Sequence, residues 1–112
     1  MAEYVSIGYK LEAAAGAEGD VTLFTVPGAQ IFKLTDITIR FPSGQNFQLE
    51  LSLYRGAQKI APYKGVYCGD ALTLRDKSSR ILQSQERLIL HYKNNDTANP
   101  QAAFILVGGC LK

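Results

Sequence analysis

The sequence predicts an all-β protein: a single-domain antiparallel β-sandwich, jelly-roll-like, with seven to eight strands. Three observations carry this. Runs rich in β-branched and aromatic residues recur about every 8–12 residues, Pro and Gly punctuate them, and no segment sustains a helical period. The pattern is clearest between Val21 and Leu53, where three consecutive strands are separated by Pro27-Gly28 and Pro42-Ser43-Gly44. Branched and aromatic side chains suit a pleated, half-buried surface, and Pro and Gly supply the φ angles that reverse the chain. A closed barrel around a ligand cavity is the other architecture such spacing allows.

The first expected strand is Tyr4 to Tyr9. From Leu11 to Gly19 the chain carries Ala13-Ala14-Ala15 between Glu and Gly, and Gly16 and Gly19 each cost a helix about 1 kcal/mol. A surface loop with one helical turn is expected there. Val21 to Val26 forms the next strand and stops at Pro27, which cannot donate to a ladder. Over Ile31 to Phe41 the apolar alternation changes phase: Phe32 and Leu34 share one parity, and Ile37, Ile39 and Phe41 the other. A β-bulge at Thr35-Asp36 keeps both groups inward.

After the turn at Pro42, Phe47, Leu49, Leu51 and Leu53 alternate with Gln48, Glu50, Ser52 and Tyr54, a strand with one wet face. Arg55-Gly56-Ala57-Gln58 is a tight turn into a short strand, Lys59 to Ala61. Pro62 to Gly69 is a loop or irregular edge, and Ala71 to Arg75 another strand. Ser78 to Gln85 is a polar connection with a short extended part at Ile81-Leu82. Glu86 to Lys93 alternates, with Leu88, Leu90 and Tyr92 on one face. Asn94 to Pro100 is a turn cluster. Ala102 to Leu111 is apolar on both faces, which places it centrally in a sheet.

At 112 residues, with 46% hydrophobic and 20% charged residues, the chain is one domain, 1–112, able to bury its own core. No apolar run approaches the roughly 18 residues of a spanning helix, so no membrane partner is expected. The opening Met1-Ala2-Glu3-Tyr4 lacks the basic and apolar character of a signal peptide. Net charge is +2, unevenly spread: residues 1–50 hold three basic and six acidic side chains, and residues 51–112 hold nine and four. Such asymmetry suits complementary surfaces between subunits, although folding also mixes the halves in space. Two cysteines, Cys68 and Cys110, and one histidine cannot build a four-ligand zinc site. The thiols are either free and buried or joined across a long loop.

Signals for chemistry are sparse, so neither catalysis nor a cofactor is expected. His91, alone, excludes imidazole clusters and reads as a solvated or hydrogen-bonded strand histidine. No serine sits in a nucleophile elbow, the ten carboxylates are scattered, and Gly65 to Gly69 has neither the glycines nor the Lys-Ser/Thr of a phosphate loop. Arg75, Lys77, Arg80 and Arg87 near Tyr63 and Tyr67 have the ingredients of a single-strand binder, but Asp70, Asp76 and Glu86 interrupt them. A charge-guarded sheet edge explains them without nucleic acid. The expected interaction surface is Tyr54, Tyr63, Lys64 and Tyr67, since Tyr offers an apolar face and a polar tip. Such rings also suit a glycan, which makes a carbohydrate-binding module the second reading.

From Thr22 to Ile37 the chain resembles a pattern in small β-sandwich domains of tailed-phage and related virion proteins. In that pattern a strand Leu-Tyr-Thr-Val-Pro is followed by Ala-Gly and a second apolar strand. Here Leu23-Phe24-Thr25-Val26-Pro27 is followed by Gly28-Ala29, the reverse order. The resemblance implies a virion structural or attachment domain, oligomeric, assembled with other virion proteins after synthesis in the host cytoplasm. It brings no catalytic residues. Sheet edges must be covered, and association covers them; contact is expected at the C-terminal strand and the Tyr-rich loop.

Overall fold

A computed structural model describes residues 2–112; Met1 of the N-terminal run lies outside the described residues. Nine strands follow one another: β1 Glu3–Ala13, β2 Glu18–Thr25, β3 Phe32–Phe41, β4 Leu49–Arg55, β5 Gln58–Ala61, β6 Leu72–Lys77, β7 Ile81–Leu82, β8 Arg87–Asn94 and β9 Gln101–Leu111. A first sheet runs β1-β9-β3-β6, with β7 also paired to β3, and a second runs β2-β8-β4-β5. All pairings are antiparallel. Two sheets that exchange strands in this Greek-key order make a jelly roll.

The Pro- and Gly-bearing segments after β2 and β3 are not hairpins. They carry the chain from the second sheet to the first and back again. Among the described residues, β4 and β5 are the sole consecutive strands that hydrogen-bond to each other, through the expected Arg55-Gly56-Ala57-Gln58 turn, where Gly56 takes φ 60°. The apolar rows face each other between the sheets. Phe32, Leu34, Ile37, Ile39 and Phe41 of β3 meet Leu49, Leu51 and Leu53 of β4 and Leu88 and Leu90 of β8 in one buried cluster. Phe24 and Phe32 pack at 5.1 Å between ring centroids.

The phase change in β3 is a bulge: the register against β9 shifts between Leu34 and Asp36. It sits against Gly108-Gly109, and a Cβ on Gly109 would lie 2.2 Å from the Lys33 carbonyl oxygen. β9 is central as expected, flanked by β1 from Glu3↔Leu111 to Ala13↔Gln101 and by β3. Its second apolar row points out of the sandwich, so that Phe104 and Leu106 are exposed.

Four expectations are corrected. The first strand does not stop at Tyr9, because pairing with β9 continues through Leu11 and Ala13, both buried. The loop shrinks to a turn in which the Ala17 amide donates to the Ala14 carbonyl at 3.0 Å, with Gly16 at φ 70°. Phe47 is not the first inward residue of β4. Asn46 and Phe47 adopt φ 51° and 59° in a left-handed turn closed by Gln48 N–H to the Gln45 carbonyl, and Phe47 is 57% exposed. Ser52 lies on the outer face as expected but is not wet; it sits beside His91 in the ladder and is buried.

Candidate interaction surface

Of the four expected surface residues, two stand together. The loop from Pro62 to Val66 swings off β5, and Lys59 Nζ donating to the Gly65 carbonyl ties it back. Tyr63 and Lys64 project from it, Tyr63 at 95% exposure. The Tyr63 ring stands at a cleft of about 470 Å³, whose other walls include Asp76, Ser78, Ser79 and Arg80. Asp76 already accepts from the Lys77 amide and the Tyr67 hydroxyl, and Ser78 Oγ accepts from the Arg80 amide. The Ser79 hydroxyl, the Arg80 guanidinium and the Tyr63 ring have no hydrogen-bonding partner among the described residues.

Tyr67 belongs to the interior. Its amide and carbonyl bridge to Leu51 at 2.8 and 2.9 Å, and its phenol crosses the gap between the sheets to donate to Asp76 of β6 at 2.7 Å. Burial first, and then the Asp76 carboxylate, push the phenol pKa well above its usual range. Tyr67 therefore clamps the sheets together at the β5–β6 side. Tyr54 lies on the outer face of the second sheet, its ring edge-on to His91 at 5.8 Å.

His91 is hydrogen-bonded, as expected of a strand histidine, but its partners were hidden in the sequence. Nδ1 lies 2.7 Å from Asp20 and Nε2 3.2 Å from Glu18. Asp20 faces His91 directly in the β2–β8 ladder. The outer face of the first sheet is different in character. Phe104 lies under two cations, Lys10 Nζ and Arg40 Cζ, each 5.8 Å from its centroid. With Leu106, Gly8 and Thr38 they line a shallow groove of about 320 Å³. Beside it Asp36 holds Lys77 at 2.7 Å. The Lys77 ammonium, then the Thr35 hydroxyl, keep the Asp36 carboxyl below its ordinary value of 3.8.

Cys68 and Cys110 are free and half-buried. No trio of His, Cys, Asp or Glu among the described residues is placed to hold a metal ion, and no helix is long and apolar enough to cross a membrane.

No protein-family model matches the chain, and no curated protein matches it in sequence. Solved structures do match in fold. A chain of the Sulfolobus Turreted Icosahedral Virus is similar over 99% of this chain at a TM-score of 0.58 and 10% identity. A chain of the Gt strain of infectious bursal disease virus is similar over 98% at a TM-score of 0.56 and 10% identity. The acid-stable capsid of Helicobacter pylori bacteriophage KHP30 supplies a third, over 97% at a TM-score of 0.50 and 12% identity. The chain spans 29% and 32% of the length of the first two and 93% of the third. FLHE is also similar, at a TM-score of 0.49 and 10% identity. The fold is thus a jelly roll, similar over nearly the whole chain to chains of these virus structures.

Proposed function

We propose that this chain is a non-catalytic structural module of a virus particle, acting by self-association and by contact with other virion proteins. The observation that supports the reading is the combination of a virion-type jelly roll with apolar and aromatic surface left outside its core: Phe104, Leu106, Tyr4 and Tyr63. A fold alone does not assign a role; the exposed rings and aliphatic groups add the means of assembly, since such patches mark contact surfaces. The place of action is the virion, after synthesis in the host cytoplasm. Light scattering of the purified protein across a dilution series tests it. A closed oligomer that persists on dilution supports self-association, and a strict monomer at high concentration rejects it.

The Tyr63 cleft favours a second reading, a carbohydrate-binding module. A ring free on both faces beside the Ser79 hydroxyl and the Arg80 guanidinium is the equipment for stacking on and hydrogen-bonding to a sugar. Specific signals on a glycan array that vanish with Tyr63→Ala carry this reading; a blank array rejects it.

A further inference from the structure

We infer that the outer edge of β1, from Glu3 to Tyr9, pairs antiparallel with the same edge of a second copy of this chain, joining the two first sheets into one continuous sheet. This rests on the self-association proposed above and names the surface that performs it.

Besides the two-residue β7, the edge strands of the sandwich are β1, β6, β2 and β5, and three of these four carry devices that discourage strand addition. β6 turns Asp76 inward and displays Arg75 and Lys77. β2 is broken by a register shift between Thr22 and Phe24 and begins Glu18-Gly19-Asp20. β5 is four residues long, beside a shift between Leu53 and Tyr54. From Tyr4 to Tyr9 β1 has none of these; its displayed charges, Glu3, Lys10 and Glu12, lie outside that stretch. It runs eleven residues in unbroken register with β9, contains no proline, and carries no charge from Tyr4 to Tyr9.

Its side chains tell the same story. The inward row of β1 is Val5, Ile7, Tyr9, Leu11 and Ala13. Leu11 and Ala13 are 2% and 1% exposed, whereas Val5 and Ile7 are only partly buried and Tyr9 is 38% exposed. One half of the strand is finished by the monomer's own core, and the other half leaves its apolar row only partly covered and its outer backbone groups without a strand partner.

A second copy suits this edge because the edge is self-complementary. About a two-fold axis at Ser6, Val5 of one copy lies opposite Ile7 of the other on the core side. Tyr4 lies opposite Gly8 on the outer side, and its ring, laid back over Gly108 with its hydroxyl on Asp36, leaves the approach of the partner strand clear. Glu3 faces Tyr9, and no like charges are opposed. The contact is isologous, so it closes at two copies rather than growing into a filament.

Light scattering on the wild type and on Ile7→Lys tests the pairing. An inward charge at this edge is expected to raise the dimer dissociation constant about a hundredfold or more, while circular dichroism stays that of the wild type. Thr73→Lys, exposed on β6 at the opposite edge of the same sheet, is expected to leave the dimer intact. An oligomer that survives Ile7→Lys overturns the edge pairing but not self-association; a wild type monomeric at every concentration overturns both. Should Ile7→Lys fail to fold, hydrogen exchange on the wild type decides. Amides of Glu3 to Tyr9 that exchange more slowly as protein concentration rises support the pairing, and exchange independent of concentration overturns it.

Discussion

Gly109 stands where β3 bulges against β9, and a methyl group there would meet the Lys33 carbonyl at 2.2 Å and the Phe32 ring at 2.7 Å. Backbone cannot yield as a flexible side chain can. Gly109→Ala is expected to destabilise the fold by about 1–3 kcal/mol, as overpacking does, read as a lower denaturant midpoint. Tyr67→Phe removes one hydroxyl and leaves the half-buried Asp76 carboxylate short of a donor. The expected loss is about 1–3 kcal/mol, with the sheets still packed. The bulge was legible in the sequence because five apolar residues changed parity across Thr35-Asp36. Tyr67 was not, because its burial depends on Leu51 and Asp76, which no local pattern ties to it. The carboxylate neighbours of His91 hid for the same reason: Asp20 is 71 residues away along the chain and becomes a neighbour only through strand pairing.

At the scale of elements, alternation located the strands and mistook their ends. A period of two shows where a strand lies but not where a turn borrows its first apolar residue, and so alternation alone puts Phe47 inward. Proline and glycine likewise announced reversals without saying onto which sheet the chain returns. The turn between β8 and β9 is held by Asp96, which accepts from the Ala98 and Asn99 amides at 2.9 and 3.1 Å. The Ala98 amide, then the Asn99 side chain, lead the donors that keep this carboxyl below its ordinary value. A carboxylate more acidic in the folded than in the unfolded chain stabilises the fold above its unfolded pKa, and that contribution fades as pH falls through the folded value. Melting temperature is therefore expected to fall between about pH 5 and about pH 2. Asp96→Asn is expected to flatten that slope; a slope identical to wild type contradicts the assignment.

For the whole molecule, the crossing of nearly every connection between sheets means that neither sheet completes itself while the other is absent. Unfolding is expected as one cooperative transition, with far-ultraviolet and tyrosine near-ultraviolet signals melting together. Refolding is expected on the millisecond-to-second scale of chains dominated by non-local pairing. Two separated transitions contradict this reading. One further property follows from the pairing of Glu3 with Leu111 across the first and last strands. The chain enters and leaves the sandwich at the same pole, side by side. A short linker can bridge those ends, and the Gly56 turn, midway along the chain and with Gly56 and Ala57 exposed, can then be opened to supply new ones. Circular permutation at that point leaves every ladder intact. By the same geometry the domain can be spliced into a surface loop of another protein without prising that loop apart.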